Sequence, residues 1–200
     1  MTRTAPVLVV VTVAALLGSV VIAQQTPPAK PAARSAPSPY TAVATVMDLM
    51  ASMIDPASKV VFRAVTTVET AAGVQEKAPE TDEDWMDVRS NALLMVEGAN
   101  LLLMPGRHIA PPQFANVHND GELAPSEIEV RVAKDRAAFN KFAVALRQAA
   151  MGALKAAEAR KPADFGPASE AIDTACESCH LRFWYPEQEE LLKNAPKPGP

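Results

Sequence analysis

From residue 40 onwards, apolar residues recur every three or four positions through most of the chain. This period is typical of amphipathic helices, and no stretch has the strict alternation that indicates a half-buried strand. The sequence therefore predicts an all-α fold. Four such helices with one longer loop pack as an antiparallel four-helix bundle. The predicted helices are Tyr40–Ala72, interrupted at Asp55-Pro56, then Thr81–Leu102, Ser126–Arg160 and Gly166–Trp184.

Turn and cap residues predict where these helices end. Asp55-Pro56 resembles an N-cap followed by a first-turn proline, so the first helix is expected to kink or restart there. Gly73 is a typical residue to follow a helix C-terminus. Ser126 and Glu129 form a capping-box pattern, and the prolines and glycines of Pro105–Pro125 predict a long loop.

The first residues have the order of an export signal. Arg3 precedes an apolar run from Val7 to Leu17, and small residues lead to Ala23. This order is typical of a secretory signal peptide cleaved after Ala23. An uncleaved membrane anchor is the alternative, but the run is shorter than the roughly 20 residues of a span. We therefore expect export to the periplasm, with no stable membrane span after processing.

The chain is expected to have four parts. Residues 1–23 are the signal peptide, and residues 24–39 are a disordered tether rich in proline and alanine. Residues 40–193 form the helical domain, and residues 194–200 form a flexible tail. The helical domain is the only part expected to carry chemistry.

Composition and charge exclude several classes of protein. Hydrophobic residues make up 48% of the chain and charged residues 21%, which is enough apolar surface for a packed core. The formal net charge is −4 and there is no basic block, so a nucleic-acid binder is not expected. With only two cysteines, a small domain held together by disulfides is excluded.

Both cysteines belong to one short motif. Cys176-Glu177-Ser178-Cys179-His180 is a C-x-x-C-H sequence, the attachment pattern for c-type haem. Because Cys176, Cys179 and His180 are three and four residues apart, they share one face of the last predicted helix. The two sulfurs can add to the two vinyl groups of one haem c, and the His180 imidazole can bind the iron as proximal ligand.

Three other interpretations of this motif are weaker. A redox dithiol pair would follow a strand that leads into a helix, and no such strand is predicted. A zinc site would need a fourth ligand beyond the two cysteines and the adjacent His180. A chance occurrence would have to use the only two cysteines of the chain. Covalent haem is therefore the prediction.

The late position of the motif suggests a family. A C-x-x-C-H sequence in the last helix, with the stretch Val46–Ser52 in the first, resembles class II cytochromes c. These are the cytochrome c-prime family and its methionine-ligated low-spin relatives, and the resemblance extends over Tyr40–Tyr185. It implies a four-helix bundle whose first helix covers the distal face of the haem. It also implies a possible homodimer through the first two helices. Leu181–Tyr185 departs from the polar run that the family usually has after the motif.

What the resemblance implies about the iron depends on the first helix. A methionine there gives six-coordinate iron and electron transfer, whereas an apolar residue leaves the iron open to small gases. The first helix contains Met47, Met50 and Met53. At about 100° per residue, Met50 lies at the centre of an inward stripe that includes Val43, Val46, Ile54 and Ala57.

Met50 is therefore the predicted distal ligand, with Met47 as the alternative and Met53 third. All three methionines could instead simply fill core space. His108 and His118 in the long loop are competing ligands. Trp85 and Trp184 are expected to pack in the bundle or against the porphyrin edge.

The sequence as a whole predicts a periplasmic c-type cytochrome that carries single electrons between periplasmic redox proteins and is not an enzyme. Its one haem is attached at Cys176 and Cys179, with His180 and Met50 as axial ligands. The alternative is a five-coordinate haem protein that binds or senses small gases such as NO or CO.

Overall fold

The computed structural model describes residues 40–194. The predicted signal peptide, residues 1–23, and the predicted tether, residues 24–39, lie outside the described residues. So do residues 195–200 of the predicted tail.

The first helical segment begins later than predicted, at Val46 and not at Tyr40. Thr45 caps it: the Thr45 hydroxyl accepts from the Asp48 backbone N–H at 3.2 Å, and the Asp48 carboxylate accepts from the Thr45 backbone N–H at 2.9 Å. This capping box defines the start, because it satisfies two of the amide groups that a helix N-terminus leaves free. Val43, predicted on the inward stripe, precedes the helix and is 88% exposed.

Three consecutive pieces make up this segment: α1 (Val46–Leu49), a π-helix (Met50–Ile54) and α2 (Asp55–Arg63). Pro56 lies in the first turn of α2. The sequence predicted that the helix would kink or restart at Asp55-Pro56. It does not restart with a new side-chain cap, but stays helical, with a hydrogen bond that spans five residues in place of four just before the proline.

The predicted continuation of this helix to Ala72 is wrong. A two-stranded antiparallel sheet follows instead, formed by β1 (Thr66–Thr70) and β2 (Gly73–Lys77). β1 is rich in β-branched residues, which favour strands. Gly73 has φ +115° at the tight turn between the strands, so it serves the hairpin and does not end a helix.

The second predicted helix is present as α3 (Asp82–Leu102). Thr81 and Asp84 form a capping box at its start. The loop that follows contains one short 3-10 turn, Pro112–Phe114.

The third predicted helix is in fact two, α4 (Pro125–Lys134) and α5 (Arg136–Glu158). They are separated at Asp135, whose backbone leaves the helical region with φ −132° and ψ 53°. Its carboxylate accepts a hydrogen bond from the Ala138 backbone N–H at 3.2 Å, so Asp135 caps α5.

The predicted Ser126–Glu129 capping box does not form. The Glu127 carboxylate accepts instead from the Ala124 backbone N–H, at 3.0 Å. The Ser126 hydroxyl donates to the side-chain oxygen of Asn116, and the Glu129 carboxylate accepts from the Ile109 backbone N–H in the preceding loop. The helix starts one residue earlier because Pro125, with no amide hydrogen to satisfy, suits its first position.

The last predicted helix is present as α6 (Phe165–Phe183), preceded by the 3-10 turn Pro162–Asp164. A short helix that was not predicted, α7 (Pro186–Asn194), follows it. α7 contains the acidic run Glu187–Glu190, and none of its residues is buried. The acidic run is therefore part of a solvated terminal face.

Neighbouring long helices run in opposite directions. Arg89 near the start of α3 pairs with Glu158 at the end of α5, with Nη2 and Oε1 3.1 Å apart. Arg136 at the start of α5 donates to the Leu102 carbonyl at the end of α3, at 3.0 Å. α3 and α5 are therefore antiparallel.

α5 and α6 are antiparallel as well, because the Phe139 ring near the start of α5 lies 5.7 Å from the Phe183 ring at the end of α6. α2 packs against both α3 and α6. One hydrophobic core lies between these helices, and its largest fully buried side chains include Phe139, Phe165 and Phe183.

The described residues are thus mostly helical, and the predicted all-α class is confirmed except for the small hairpin. Within residues 40–194, no helix combines the length and apolarity needed to cross a membrane.

Candidate functional site: the Cys-x-x-Cys-His face of the last helix

The C-x-x-C-H motif lies in the second half of α6. α6 is a regular α-helix, so Cys176, Cys179 and His180 share one face of it. All three are partly buried, and both thiols are free. The two cysteines pack against the hydrophobic core. The three residues therefore lie along the border between the core and the solvent.

Both thiols are held in their neutral form. Burial raises the pKa of Cys176 to about 11, and the carboxylates of Asp173 and Glu177 add to the effect. Burial raises the pKa of Cys179 to about 12, with a further contribution from Cys176. At neutral pH neither sulfur is a thiolate, so this pair lacks the lowered thiol pKa that is typical of redox-active cysteines.

The His180 ring lies close to two aromatic rings. Its ring centroid is 5.6 Å from that of Trp184 and 6.0 Å from that of Tyr185. Burial lowers the pKa of His180, although Glu177 and Glu122 oppose the shift. The imidazole is therefore neutral at pH 7, and the neutral imidazole is the form that binds a metal.

The segment that follows α6 holds this histidine in place. The Tyr185 hydroxyl donates to Glu177 Oε2 at 3.0 Å, and burial raises the pKa of Tyr185. The Trp184 carbonyl accepts from the Leu123 backbone N–H at 2.8 Å, which ties the end of α6 to the loop before α4. Tyr185 and Trp184 thus limit the motion of the His180 ring, in the region where the sequence departs from the class II pattern.

The three methionines of the first segment have different surroundings. Met47 lies in α1 and is 36% exposed. Met50 and Met53 lie in the π-helix, are partly buried, and pack against the same hydrophobic core as Cys176 and Cys179. Since a π-helix turns less per residue than an α-helix, the angles used to place Met50 at the centre of the stripe do not hold across it. The core contacts support Met50 over Met47, and they support Met53 equally.

The two loop histidines are exposed, and each has a hydrogen-bonding partner within the loop or at the start of α4. His108 has a side chain that is 74% exposed, and its Nδ1 lies 2.6 Å from Glu129 Oε1. Glu129 also accepts from the Ile109 backbone N–H at 3.2 Å. His118 is exposed, with its Nδ1 3.0 Å from the Asn119 carbonyl.

The two tryptophans occupy different ends of the helical domain. Trp85 is buried near the start of α3, with its ring 6.1 Å from that of Phe165 at the start of α6. Trp184 lies beside His180 at the other end of α6. Only Trp184 is therefore placed to contact a group bound at the motif.

A groove on a different face of α6 was not predicted. It has a volume of about 880 Å³ and lies between α5 and α6. Phe142, Ala149, Ala175 and Ser178 are among its lining residues, whereas neither cysteine nor His180 lines it. Alanines of both helices are among its lining residues, and the alanine-rich sequence of α5 was the available signal.

One residue that fixes the position of the first helical segment was also not predicted. Arg107, in the loop after α3, is only 8% exposed and donates from Nε to the Leu101 carbonyl at 2.9 Å. Its Nη1 donates to the Ala44 carbonyl, just before the capping residue Thr45. An arginine beside a glycine in a loop gives no sequence signal of such a role.

Comparison of the chain with protein-family models, with curated proteins and with solved structures gives no match. Within the described part of the chain, no cluster of three or more His, Cys, Asp or Glu side chains is arranged to hold a metal ion.

Proposed function

We propose that this protein is a periplasmic c-type cytochrome of the class II type, which carries single electrons through one covalently attached haem. The antiparallel pairs α3–α5 and α5–α6, with α2 packed against α3 and α6, are what a four-helix bundle is expected to show. In this proposal the haem is attached to α6, the last long helix, and covered by the first helical segment.

The observation that carries the proposal is the arrangement of Cys176, Cys179 and His180. They share one face of α6, at the border of the core, with both sulfurs free. A haem attached there would have an apolar side against the core and an edge towards solvent. This donor set fits the group: two neutral thiols can form thioethers, and one neutral imidazole can bind iron.

The chain's own residues would then determine how the haem behaves. Cys176 and Cys179 hold it, and His180 is the proximal ligand, oriented by its contacts with Trp184 and Tyr185. When bound, the group supplies an iron that accepts and releases one electron. A low-dielectric core and a methionine ligand would tune such an iron towards electron transfer.

Met50 is the proposed distal ligand. It is partly buried and packs against the core that the two cysteines also contact. Its thioether sulfur, once bound to the iron, would leave no open site for a substrate or a gas. We therefore propose that the protein passes electrons to and from periplasmic redox proteins and turns over no substrate.

The first test is the mass and absorption spectrum of the protein purified from the periplasm of a strain that attaches c-type haem. The mature chain should exceed the mass of its polypeptide from Gln24 by one haem. The reduced protein should show the sharp α band of low-spin haem. The matched control is Cys176→Ser/Cys179→Ser, which should have the mass of the bare polypeptide. A wild-type chain without added mass contradicts the proposal.

The second test replaces each methionine in turn. Met50→Ala should keep the haem attached but convert the iron from low spin to high spin, because the sixth ligand is lost. Met47→Ala should keep the wild-type spectrum, since Met47 is the most exposed of the three. If Met53→Ala alone converts the iron, Met53 is the ligand. A wild-type protein that is high spin and binds carbon monoxide at once would favour the gas-binding alternative.

A further inference from the structure

The π-helix has a local cause in the sequence. The Asp55 backbone N–H donates to the Met50 carbonyl, five residues earlier, in place of the usual four. Pro56 follows directly, and it has no N–H to donate to the Ser52 carbonyl. In a regular α-helix its ring would also clash with that carbonyl. The wider π-turn accommodates the ring, so Pro56 favours the π-helix that contains Met50 and Met53.

A glycine on α3 makes room for this wider turn. Gly98 faces Ile54, the last residue of the π-helix. A methyl group on Gly98 would lie 2.8 Å from Ile54 Cγ1, 3.3 Å from Ile54 Cδ1 and 4.0 Å from Met53 Cβ. The first distance is closer than carbon atoms approach in proteins. Because Ile54 is β-branched, stiff at χ1 and buried, its side chain has little room to give way, so we expect the π-helix to shift relative to α3.

Gly152 in α5 is a helical glycine without this steric constraint. A methyl group there would meet only the Ala168 Cβ, at 3.8 Å, an ordinary contact. Glycine within a helix costs about 1 kcal/mol relative to alanine. At Gly98 the helix accepts this cost together with a close approach that only glycine permits. At Gly152 it accepts the same cost without any such close approach.

We infer that Gly98 and Pro56 are positioning residues for the distal methionine, since together they fix the π-helix against α3. Pro56 favours the wider turn and Gly98 allows it to approach α3. Neither residue binds the haem. This inference rests on the proposed function, because it assigns to the two residues a role in ligation that matters only if haem is attached.

The test compares Gly98→Ala with Gly152→Ala in the haem-loaded protein. The readouts are the weak band at the red end of the oxidised spectrum, which reports the thioether–iron bond, and the melting temperature. Gly98→Ala should lose or shift the band, because the π-helix moves. Gly152→Ala should keep the band and melt at a higher temperature, because alanine favours the helix.

Two further variants show whether the collision with Ile54 is responsible. Gly98→Ala/Ile54→Ala removes the two Ile54 atoms closest to the new methyl group, so it should recover the band although it melts at a lower temperature. Pro56→Ala should also shift or lose the band, because a regular α-helix can then form across residues 50–56. If Gly98→Ala does not fold, the double variant and Pro56→Ala decide the question.

The outcomes separate this inference from the proposed function. A wild-type chain with attached haem and the thioether band, together with Gly98→Ala and Pro56→Ala variants that keep that band unchanged, overturns the inference and leaves the proposed function standing. A wild-type chain without haem overturns the proposed function itself. A lost band in Gly98→Ala that returns in the double variant supports the inference.

Discussion

The last long helix and the first helical segment face the same core, but their residues could not be placed from the sequence equally well. α6 keeps regular α-helical hydrogen bonding through its motif, so the spacing of Cys176, Cys179 and His180 translates directly into a shared face. The first segment passes from α1 through a π-helix to α2. There the α-helical angle of about 100° per residue misplaces Met50 relative to its neighbours.

The difference comes from how each segment is anchored. The motif depends only on helical geometry within α6. The first segment depends on residues distant in sequence: Arg107 bonds to the Ala44 carbonyl before its start, and Gly98 meets Ile54 at its middle. Helical periodicity therefore places residues reliably where the helix is regular, and tertiary contacts decide the rest.

The largest expected effect is the change of the free energy of unfolding with pH that the two thiols of α6 cause in the haem-free chain. Their pKa values are raised from 9.0 to about 11 and about 12 in the folded protein. Between these values the folded state holds protons that the unfolded state has lost, so the free energy of unfolding should fall as pH rises above 9. The slope should approach about 1.4 kcal/mol per pH unit for each thiol. Urea unfolding between about pH 8 and about pH 11 measures it.

Two controls make that result specific. Cys176→Ser/Cys179→Ser should lack the part of the alkaline loss that the thiols cause. The haem-loaded wild-type protein should lack it as well, because a thioether sulfur has no proton to release. An alkaline loss of equal size in all three proteins would show that other groups are responsible.

The next largest effect concerns the anchor of the first segment. Arg107→Met should lower the free energy of unfolding by about 3 kcal/mol, because the carbonyls of Leu101 and Ala44 lose a charged donor in a buried place. Arg89→Met is the matched control, since Arg89 pairs with Glu158 at the surface and such pairs contribute less than about 1 kcal/mol. Equal losses in the two variants would show that Arg107 does not anchor the segment.

The smallest effect concerns the cap of α1, a feature that α6 does not share. Hydrogen bonds from the Thr45 backbone N–H and hydroxyl lower the pKa of Asp48. Its carboxylate therefore stabilises the fold above its ordinary pKa of 3.8, and this stability is lost as pH falls through the lower folded value. Melting temperatures between about pH 5 and about pH 2 should fall less steeply for Asp48→Asn than for the wild type. Parallel curves would contradict this role.

Some features of the fold could be predicted because their signal is local. Thr81 and the acidic residues after it begin α3 where expected, and α6 lies within one residue of its predicted limits. The hairpin was missed because its strands are mostly exposed and lack alternation of apolar and polar residues. The break at Asp135 was missed because the apolar period continues through α4 and α5 almost without interruption.

For the candidate site, the motif, the helix that carries it and the shared face of its three residues could all be predicted from the sequence. These follow from the i, i+3 and i+4 spacing within one helix, which does not depend on contacts with other segments. Three-dimensional packing was needed to show which methionines contact the core and how Gly98 admits the π-helix. Both depend on close approach between segments far apart in the chain, and packing distances of a few tenths of an ångström leave no trace in a one-dimensional pattern.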